Sequence, residues 1–234
     1  MTEHNRQAFV LDRELQNIGL DKQPGWYLAG GACTSAFSNT KIHDLDIFFR
    51  SQWALSGALA TYTANPEVKT KYNTDNAVSF RLHGKKVQFI KKEGFVGEPE
   101  NVIPHFDFTV SMCAYLPETR QFHYDPKFME HLAARTLVYN PDSKNPLSTM
   151  VRVKKFLARG YSVSGVELVK LGLAINNLKI ETYKDLKEQL EGIDTVLLKE
   201  LTDALLVKAD SEYDFREFLT MAEEYLDRFY GEEE

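Results

Sequence analysis

The chain has 234 residues, 43% of them apolar, with 34 acidic side chains against 28 Lys and Arg and a net charge of −6 at pH 7. That composition supports buried cores and excludes a disordered or fibrous chain, while the acidic balance argues against avid, non-specific nucleic-acid binding. Two cysteines, Cys33 and Cys113, give no disulfide framework or metal-ligand spacing, and no apolar run is long enough for a membrane span or signal peptide; a reducing cytoplasm is the expected setting.

Ala8, Leu11, Leu15 and Ile18 recur at helical spacing, which predicts a helix over residues 8–19 that stops at the break over 21–25. Residues 26–29 read as a short apolar approach, 30–38 as a loop and helix start, and 40–50 as the first core strand. A helix follows over 53–62, closed by Asn65-Pro66. Three β-like segments come next, at 68–72, 77–82 and 85–91, with His83-Gly84 as a tight turn between the last two. Residues 92–104 hold Gly94, Gly97, Pro99 and Pro104, and form a loop long enough to be functional or mobile. Asp107 has an alternative reading as an N-cap, with a helix starting from Thr109 onward. Beyond Ser148 the apolar spacing is helical throughout, over 151–159, 166–178, 184–190, 196–206 and 215–229, with Ser148, Ser164, Thr182, Asp194 and Asp214 as caps. The fold class is therefore α+β, a mixed head over residues 1–145 and a helical domain over 146–234, the composition changing near 140–146.

The most chemically informative stretch is Leu28-Ala29-Gly30-Gly31-Ala32, followed after ten residues by His43-Asp44-Leu45-Asp46-Ile47-Phe48-Phe49. Side chains alternate along a strand, so Asp44 and Asp46 share one face while Leu45 and Ile47 enter the core. Two neighbouring carboxylates repel each other, and a divalent cation relieves the repulsion; Mg²⁺ is commonly held by one or two carboxylates plus substrate phosphates. Glycines without Cβ let a phosphate approach backbone N–H groups near a helix start. Lys69, Lys71, Arg81, Lys85, Lys86, Lys91 and Lys92 concentrate in the strand-rich middle. They suit a triphosphate or a short nucleic-acid end, or form an ordinary solvated strand face.

These residues resemble the DNA polymerase β-type nucleotidyltransferase superfamily, and most nearly the head domain of bacterial tRNA nucleotidyltransferases and poly(A) polymerases. A second block, Phe106-Asp107-Phe108-Thr109-Val110-Ser111-Met112-Cys113-Ala114-Tyr115, is similar to a family motif, and a third, Val151-Arg152-Val153-Lys154-Lys155-Phe156-Leu157-Ala158-Arg159-Gly160-Tyr161, resembles the family's basic neck helix. The resemblance implies a palm-like head with a small mixed sheet and, after the second block, a short helix over 132–137. It implies Asp44 and Asp46 as catalytic ligands of Mg²⁺ or Mn²⁺, Gly30 and Gly31 at the β- and γ-phosphates with Thr34 or Ser35 donating, and Arg152 and Lys155 as further nucleotide contacts. The family's third carboxylate falls either at Gln88, an amide, or at Asp107, which joins the catalytic set more as an organiser of the site than as a direct metal ligand, with a helix cap as the alternative. Thr34-Ser35 stand where relatives carry Arg-Asp, and His105-Phe106 where they carry Arg-Arg, so CCA addition is not implied.

The expected function is transfer of NMP from an NTP, ATP favoured, to an acceptor hydroxyl. The acceptor is an RNA 3′ end such as that of tRNA, a small molecule or a protein side chain. The alternatives are a nucleotide-binding or interaction protein on the same fold with weakened catalysis, and nucleotide cyclisation or oligonucleotide signalling. Arg152, Lys154, Lys155 and Arg159 read equally well as the wet face of an amphipathic helix, and Tyr115, Tyr124, Tyr139 and Tyr161 as packing residues rather than base-stacking ones.

Overall fold

The computed structural model describes residues 4–20, 25–65, 68–190, 201, 203–205 and 207–230. The helix expected over 196–206 lies mostly outside these residues, as do the Asp194 cap, Pro66, most of the 21–25 break and the acidic tail 231–234. The chain forms two compact units, 1–143 and 144–234.

The first unit is built on one seven-stranded sheet. Its strands are β1 (Trp26–Ala29), β2 (Asp44–Phe49), β3 (Lys69–Asn73), β4 (Ala77–Leu82), β5 (Lys85–Ile90), β6 (Cys113–Leu116) and β7 (Gln121–Tyr124). They lie in the order β3-β4-β5-β2-β1-β6-β7. Every neighbouring pair is antiparallel except β2 and β5, which run parallel. A parallel pair needs a crossover, and α3 (Gln52–Ala64) together with β3 and β4 supplies it. The hairpin between β4 and β5 turns at His83 and Gly84, both at positive φ (45° and 83°), as a two-residue primed turn requires.

The strands sort their residues by parity. On one face Leu45, Ile47 and Phe49 of β2 join Val87 and Phe89 of β5 and Phe80 of β4, all fully or almost fully buried. Tyr62 of α3 lies edge-on to Phe89 at 5.1 Å on this side. The N-terminal helix α1 (Asn5–Asn17) buries Ala8, Leu11 and Leu15. Its Asp12 is tied to β6, accepting from the Tyr115 hydroxyl at 2.7 Å and pairing with Arg120 at 3.0 Å. On the other face Tyr27 stacks on Phe48 at 5.7 Å, and with Ala29, Met112 and Ala114 they form a core closed by Phe95, Val102, Ile103 and Phe106.

Phe95, Val102 and Ile103 belong to the segment expected to be a long loop. It is pinned rather than loose, and it carries a short helix, α4 (Pro99–Val102). Gly97 donates its N–H to Phe49 and accepts from the Tyr27 hydroxyl, and Arg50 bridges Glu98 and Glu118 at 2.7 and 2.6 Å.

Three local expectations are corrected. The run after Asp107 is a single 3₁₀ turn, Thr109–Ser111, followed by β6, not an α-helix; Cys113, Ala114 and Tyr115 are all buried, so the run lacks the alternation that marks a strand. The helix expected over 132–137 is α5 (Phe128–Ala134), ended by Arg135 in the left-handed region, and residues 136 and 137 are extended. Ser148 does not cap its helix. The helix α6 (Pro146–Leu157) starts at a proline, favoured at a first helical position, and the Ser148 and Thr149 hydroxyls donate back to the Asn145 carbonyl.

The second unit continues with α7 (Gly165–Asn176), α8 (Tyr183–Leu190) and α9 (Phe215–Tyr230). The Ser164 hydroxyl caps α7, accepting from the Glu167 N–H at 3.3 Å. Thr182 and Asp185 cap α8 reciprocally, each side chain accepting from the other's backbone N–H. Tyr183, Leu186, Leu190, Leu201 and Leu205 form the core of this unit.

Candidate active site

The path from β1 into α2 (Gly31–Ser38) turns at Gly30, whose φ of 71° and ψ of −128° suit glycine alone. Gly30 is anchored by its N–H to the Cys113 carbonyl at 2.9 Å, and a Cβ there would meet the Phe106 ring at 3.6 Å. The first intrahelical bond runs from the Thr34 N–H to the Gly30 carbonyl. The amides of Gly31, Ala32 and Cys33 precede it and therefore point out of the helix start, where the dipole favours an anion. Gly31 is exposed, and a Cβ on it would meet nothing within 4 Å.

Antiparallel pairing of β1 with β2 sets Leu28 opposite Ile47. One step further along, Ala29 and Gly30 come level with Asp46 and the start of β2. The glycine turn and the paired carboxylates thus meet at one end of the sheet. Asp44 and Asp46, both half-buried, share a face, and the buried Leu45 and Ile47 take the other.

On the far side of β2, the parallel register places Lys86 opposite Asp44 and Gln88 opposite Asp46. Gln88 therefore stands on the acids' face, and its amide donates to the Ser79 hydroxyl at 3.1 Å. Asp107 is elsewhere in its engagements. It is buried, its Oδ1 accepts from the Phe108 N–H, and its backbone carbonyl accepts from the Asn140 N–H. Burial, and after it the charge of Asp107, pushes the Tyr139 phenol above its ordinary range. Among the described residues no three or more His, Cys, Asp or Glu side chains gather where they could share a metal ion.

The second sequence block forms the back wall of the glycine turn. Thr34 is buried, and its hydroxyl donates to the Val110 carbonyl at 2.7 Å. That single proton is committed to holding α2 in place, while Ser35, the other hydroxyl of this segment, is half-buried. Asn140, which the sequence offered only as part of a boundary, ties the same wall together through bonds to the Pro104 and Phe106 carbonyls at 2.6 and 2.8 Å. Arg152 and Lys155 lie on α6 of the second unit, Arg152 half-buried with its guanidinium donating to the Ser148 hydroxyl, Lys155 exposed. A groove of about 320 Å³ among His4, Gln7, Phe37, Met129 and Arg135 sits towards the other end of α2 and includes none of these residues.

Ser79 is a neighbour of the site that sequence reading did not name, and Lys86 and Arg81 were seen only as members of a basic middle without a place beside the acids. Strand register is what brings them in, and the signal for it was the adjacency of the 77–82 and 85–91 segments across a two-residue turn.

The sheet, the glycine turn and the acid pair define a nucleotidyltransferase-type fold. The chain aligns with a Thermotoga maritima CCA-adding enzyme complexed with tRNA at a TM-score of 0.54 and 17% identity, over 87% of this chain and 52% of that one. It aligns with a CCA-adding enzyme in complex with ATP at 0.52 and 16%, over 86% and 51%. Residues 2–135 match the family described as Gabija anti-defense 2 family protein, and the chain belongs to that family. It is also 31% identical over 207 residues to "Gabija anti-defense 2" of Bacillus phage SPbetaL7, covering 88% of this chain and 50% of that protein. The chain thus spans about half the length of the curated relative it matches. Among the described residues no helix is long and apolar enough to cross a membrane.

Proposed function

We propose that this protein transfers NMP from an NTP, ATP by preference, to an acceptor hydroxyl, using Mg²⁺ or Mn²⁺ held by Asp44 and Asp46. The observation that carries the reading is the convergence of the α2 amides at Gly30-Gly31 with two carboxylates on the adjoining strand. The donor set suits a hard cation that takes its remaining oxygens from substrate phosphates. Such an ion would lower the acceptor hydroxyl's pKa and neutralise the leaving oxygens.

The chain's own part is positioning. Gly31, Ala32 and Cys33 amides bind the terminal phosphates, Ser35 adds a hydroxyl, and the acid pair holds the α-phosphate region level with the glycine turn. The named relatives support the reading, since structures of CCA-adding enzymes carry ATP or tRNA. The anti-defence role in the family's name is proposed for this chain as the biological outcome, exerted in the cytoplasm of an infected cell through the modified acceptor.

A second reading has one observation of its own. Gln88 replaces a carboxylate beside Asp46 and is held by Ser79, which favours nucleotide binding with weak turnover. Pyrophosphate release from radiolabelled ATP with Mg²⁺ or Mn²⁺ separates the two. Release that Asp44→Asn and Asp46→Asn abolish supports transfer; tight ATP binding with no release in any metal supports the binding module.

A further inference from the structure

The sheet order places different chemistry on the two sides of the acid pair. Towards β1 lies the glycine turn, an anion cradle made of backbone. Towards β5, β4 and β3 lies a meander whose strands carry Lys69, Lys71, Arg81, Lys85 and Lys86 and no acidic residue, its one acid, Asp75, lying in the β3–β4 turn, in a chain of net charge −6. Lys85 is turned away, paired with Glu14 at 2.6 Å and donating to the Ile42 carbonyl. Register aligns three of the others. Lys86 stands opposite Asp44, Arg81 opposite Lys86, and Lys69 opposite Arg81.

This row crosses the sheet at the level of Asp44 and runs outward to the edge strand. Arg81 is exposed, and its guanidinium reaches the Gly84 carbonyl at 3.1 Å, which leaves further N–H donors on the same group. Three adjacent strands span about 10 Å at the usual spacing. The next row inward is neutral, with Gln88 and Ser79 bonded to each other.

Phosphoryl transfer proceeds with the attacking and leaving oxygens roughly in line. With the triphosphate's tail in the glycine turn on the β1 side, the leaving oxygen points that way, and the attacking hydroxyl must arrive from the β5 side. Resting on the proposed transferase reading, we infer that the acceptor is a single-stranded nucleic-acid end whose phosphodiester backbone is bound by Arg81, Lys86 and the Lys69 position. A neutral small molecule would gain nothing from a cation row placed there. Such contacts position a strand without reading its sequence.

The test measures two binding reactions separately on the full chain. Anisotropy of short fluorescein-labelled RNA and DNA oligonucleotides, with Mg²⁺ and a non-hydrolysable ATP analogue, reports the acceptor; fluorescent ATP analogue binding reports the nucleotide. Arg81→Glu and Lys86→Glu are each expected to weaken oligonucleotide binding on the order of tenfold and to reduce its salt slope by about 1, as loss of a phosphate contact does. In the Arg81→Glu variant, one strand further from Asp44, ATP-analogue affinity and the circular dichroism spectrum should stay as in the unaltered protein. The RNA and DNA arms identify which strand is the source.

An unaltered protein that binds ATP analogue but neither oligonucleotide overturns the inference and leaves the transferase reading standing. Loss of ATP-analogue binding in the Arg81→Glu variant, with oligonucleotide binding intact, overturns it too, because the row then serves the triphosphate. Failure of the unaltered protein to bind the ATP analogue at all overturns the transferase reading itself.

Discussion

Asp46 of β2 and Gln88 of β5 occupy opposed positions on one face of the sheet, and the Gln88 amide is fixed there by the Ser79 hydroxyl at 3.1 Å. An amide oxygen offers a cation a dipole where a carboxylate offers a charge. Changing Gln88 to Glu places a third carboxylate beside the pair. Without a divalent ion the three repel, so Gln88→Glu is expected to lower Tm in EDTA; Mg²⁺ should restore it, because a ligand bound by the folded state stabilises that state. Pyrophosphate release should rise about tenfold, a change of about 1.4 kcal/mol in barrier. Thermal scans with and without Mg²⁺, alongside initial rates, check both; a Tm indifferent to Mg²⁺ in this variant would place Gln88 outside the metal's reach.

Gly30 and Gly31 are adjacent yet glycine for different reasons, and substitution separates them. Gly30 sits at φ 71°, where a side chain is strained whatever the space around it. Gly30→Ala should therefore cost about 1–3 kcal/mol of stability. Gly31 lies at the first position of α2 with open space where its Cβ would be. Alanine there should leave Tm unchanged or slightly raised, since Gly→Ala at a compatible position restricts the unfolded chain. If the opening exists for phosphate, Gly31→Ala still weakens ATP binding, by about tenfold or 1.4 kcal/mol. Calorimetric titration with ATP and thermal melts of the two variants read the contrast directly.

The acid strand was legible because its first four residues send apolar side chains to one face only, before Phe48 enters the core on the other. Leu45 and Ile47 alternate with Asp44 and Asp46, and that period survives in the sequence. The helical half was legible for the same reason at a different period, and Ser164, Thr182 and Asp214 sit as side-chain acceptors at helix starts as their spacing predicted. Strands β6 and β7 were not legible: Cys113, Ala114 and Tyr115 are buried together, and a four-residue strand leaves no room for a pattern. Nor could the sequence say that Thr34 spends its hydroxyl on Val110, since that bond joins residues 76 positions apart. The cation row was visible as a charge-rich middle, but only register decides which of its members share a line with Asp44.

Asp12 is an acid with a structural duty, which makes it a useful counterpart to the acid pair. It is buried on α1, accepts from the Tyr115 hydroxyl and pairs with Arg120 across to β6 and its turn. Burial first, and the bond to Asp12 second, hold the Tyr115 phenol far above its ordinary range, so it stays protonated and donating. Asp12→Ala strands that buried hydroxyl and should cost about 1–3 kcal/mol. In chemical denaturation the midpoint should fall, while the ATP affinity of the folded protein is retained. A variant of Tyr115 to Phe removes donor as well as acceptor demand, and in the Asp12→Ala background it should recover part of the loss.

The second unit carries its own pH dependence, set by two carboxylates, the half-buried Asp185 and the exposed Glu217. The Thr182 backbone and hydroxyl donate to Asp185 and hold its carboxyl below the usual range; Lys208 and then the Tyr183 hydroxyl do the same for Glu217. A carboxyl whose folded pKa is depressed contributes stability that is complete above its unfolded pKa and is lost as pH falls through the folded one. For these groups the unfolded values are the ordinary ones, 3.8 for Asp185 and 4.5 for Glu217, so the loss begins near pH 4.5 and continues below 3.8. Helical signal followed by circular dichroism against pH should fall over that window. Replacing Asp185 by Asn keeps an acceptor for the cap but removes the titrating charge, and should flatten the acid limb relative to the unaltered protein. An unchanged acid limb in that variant would assign the loss to carboxylates other than the α8 cap.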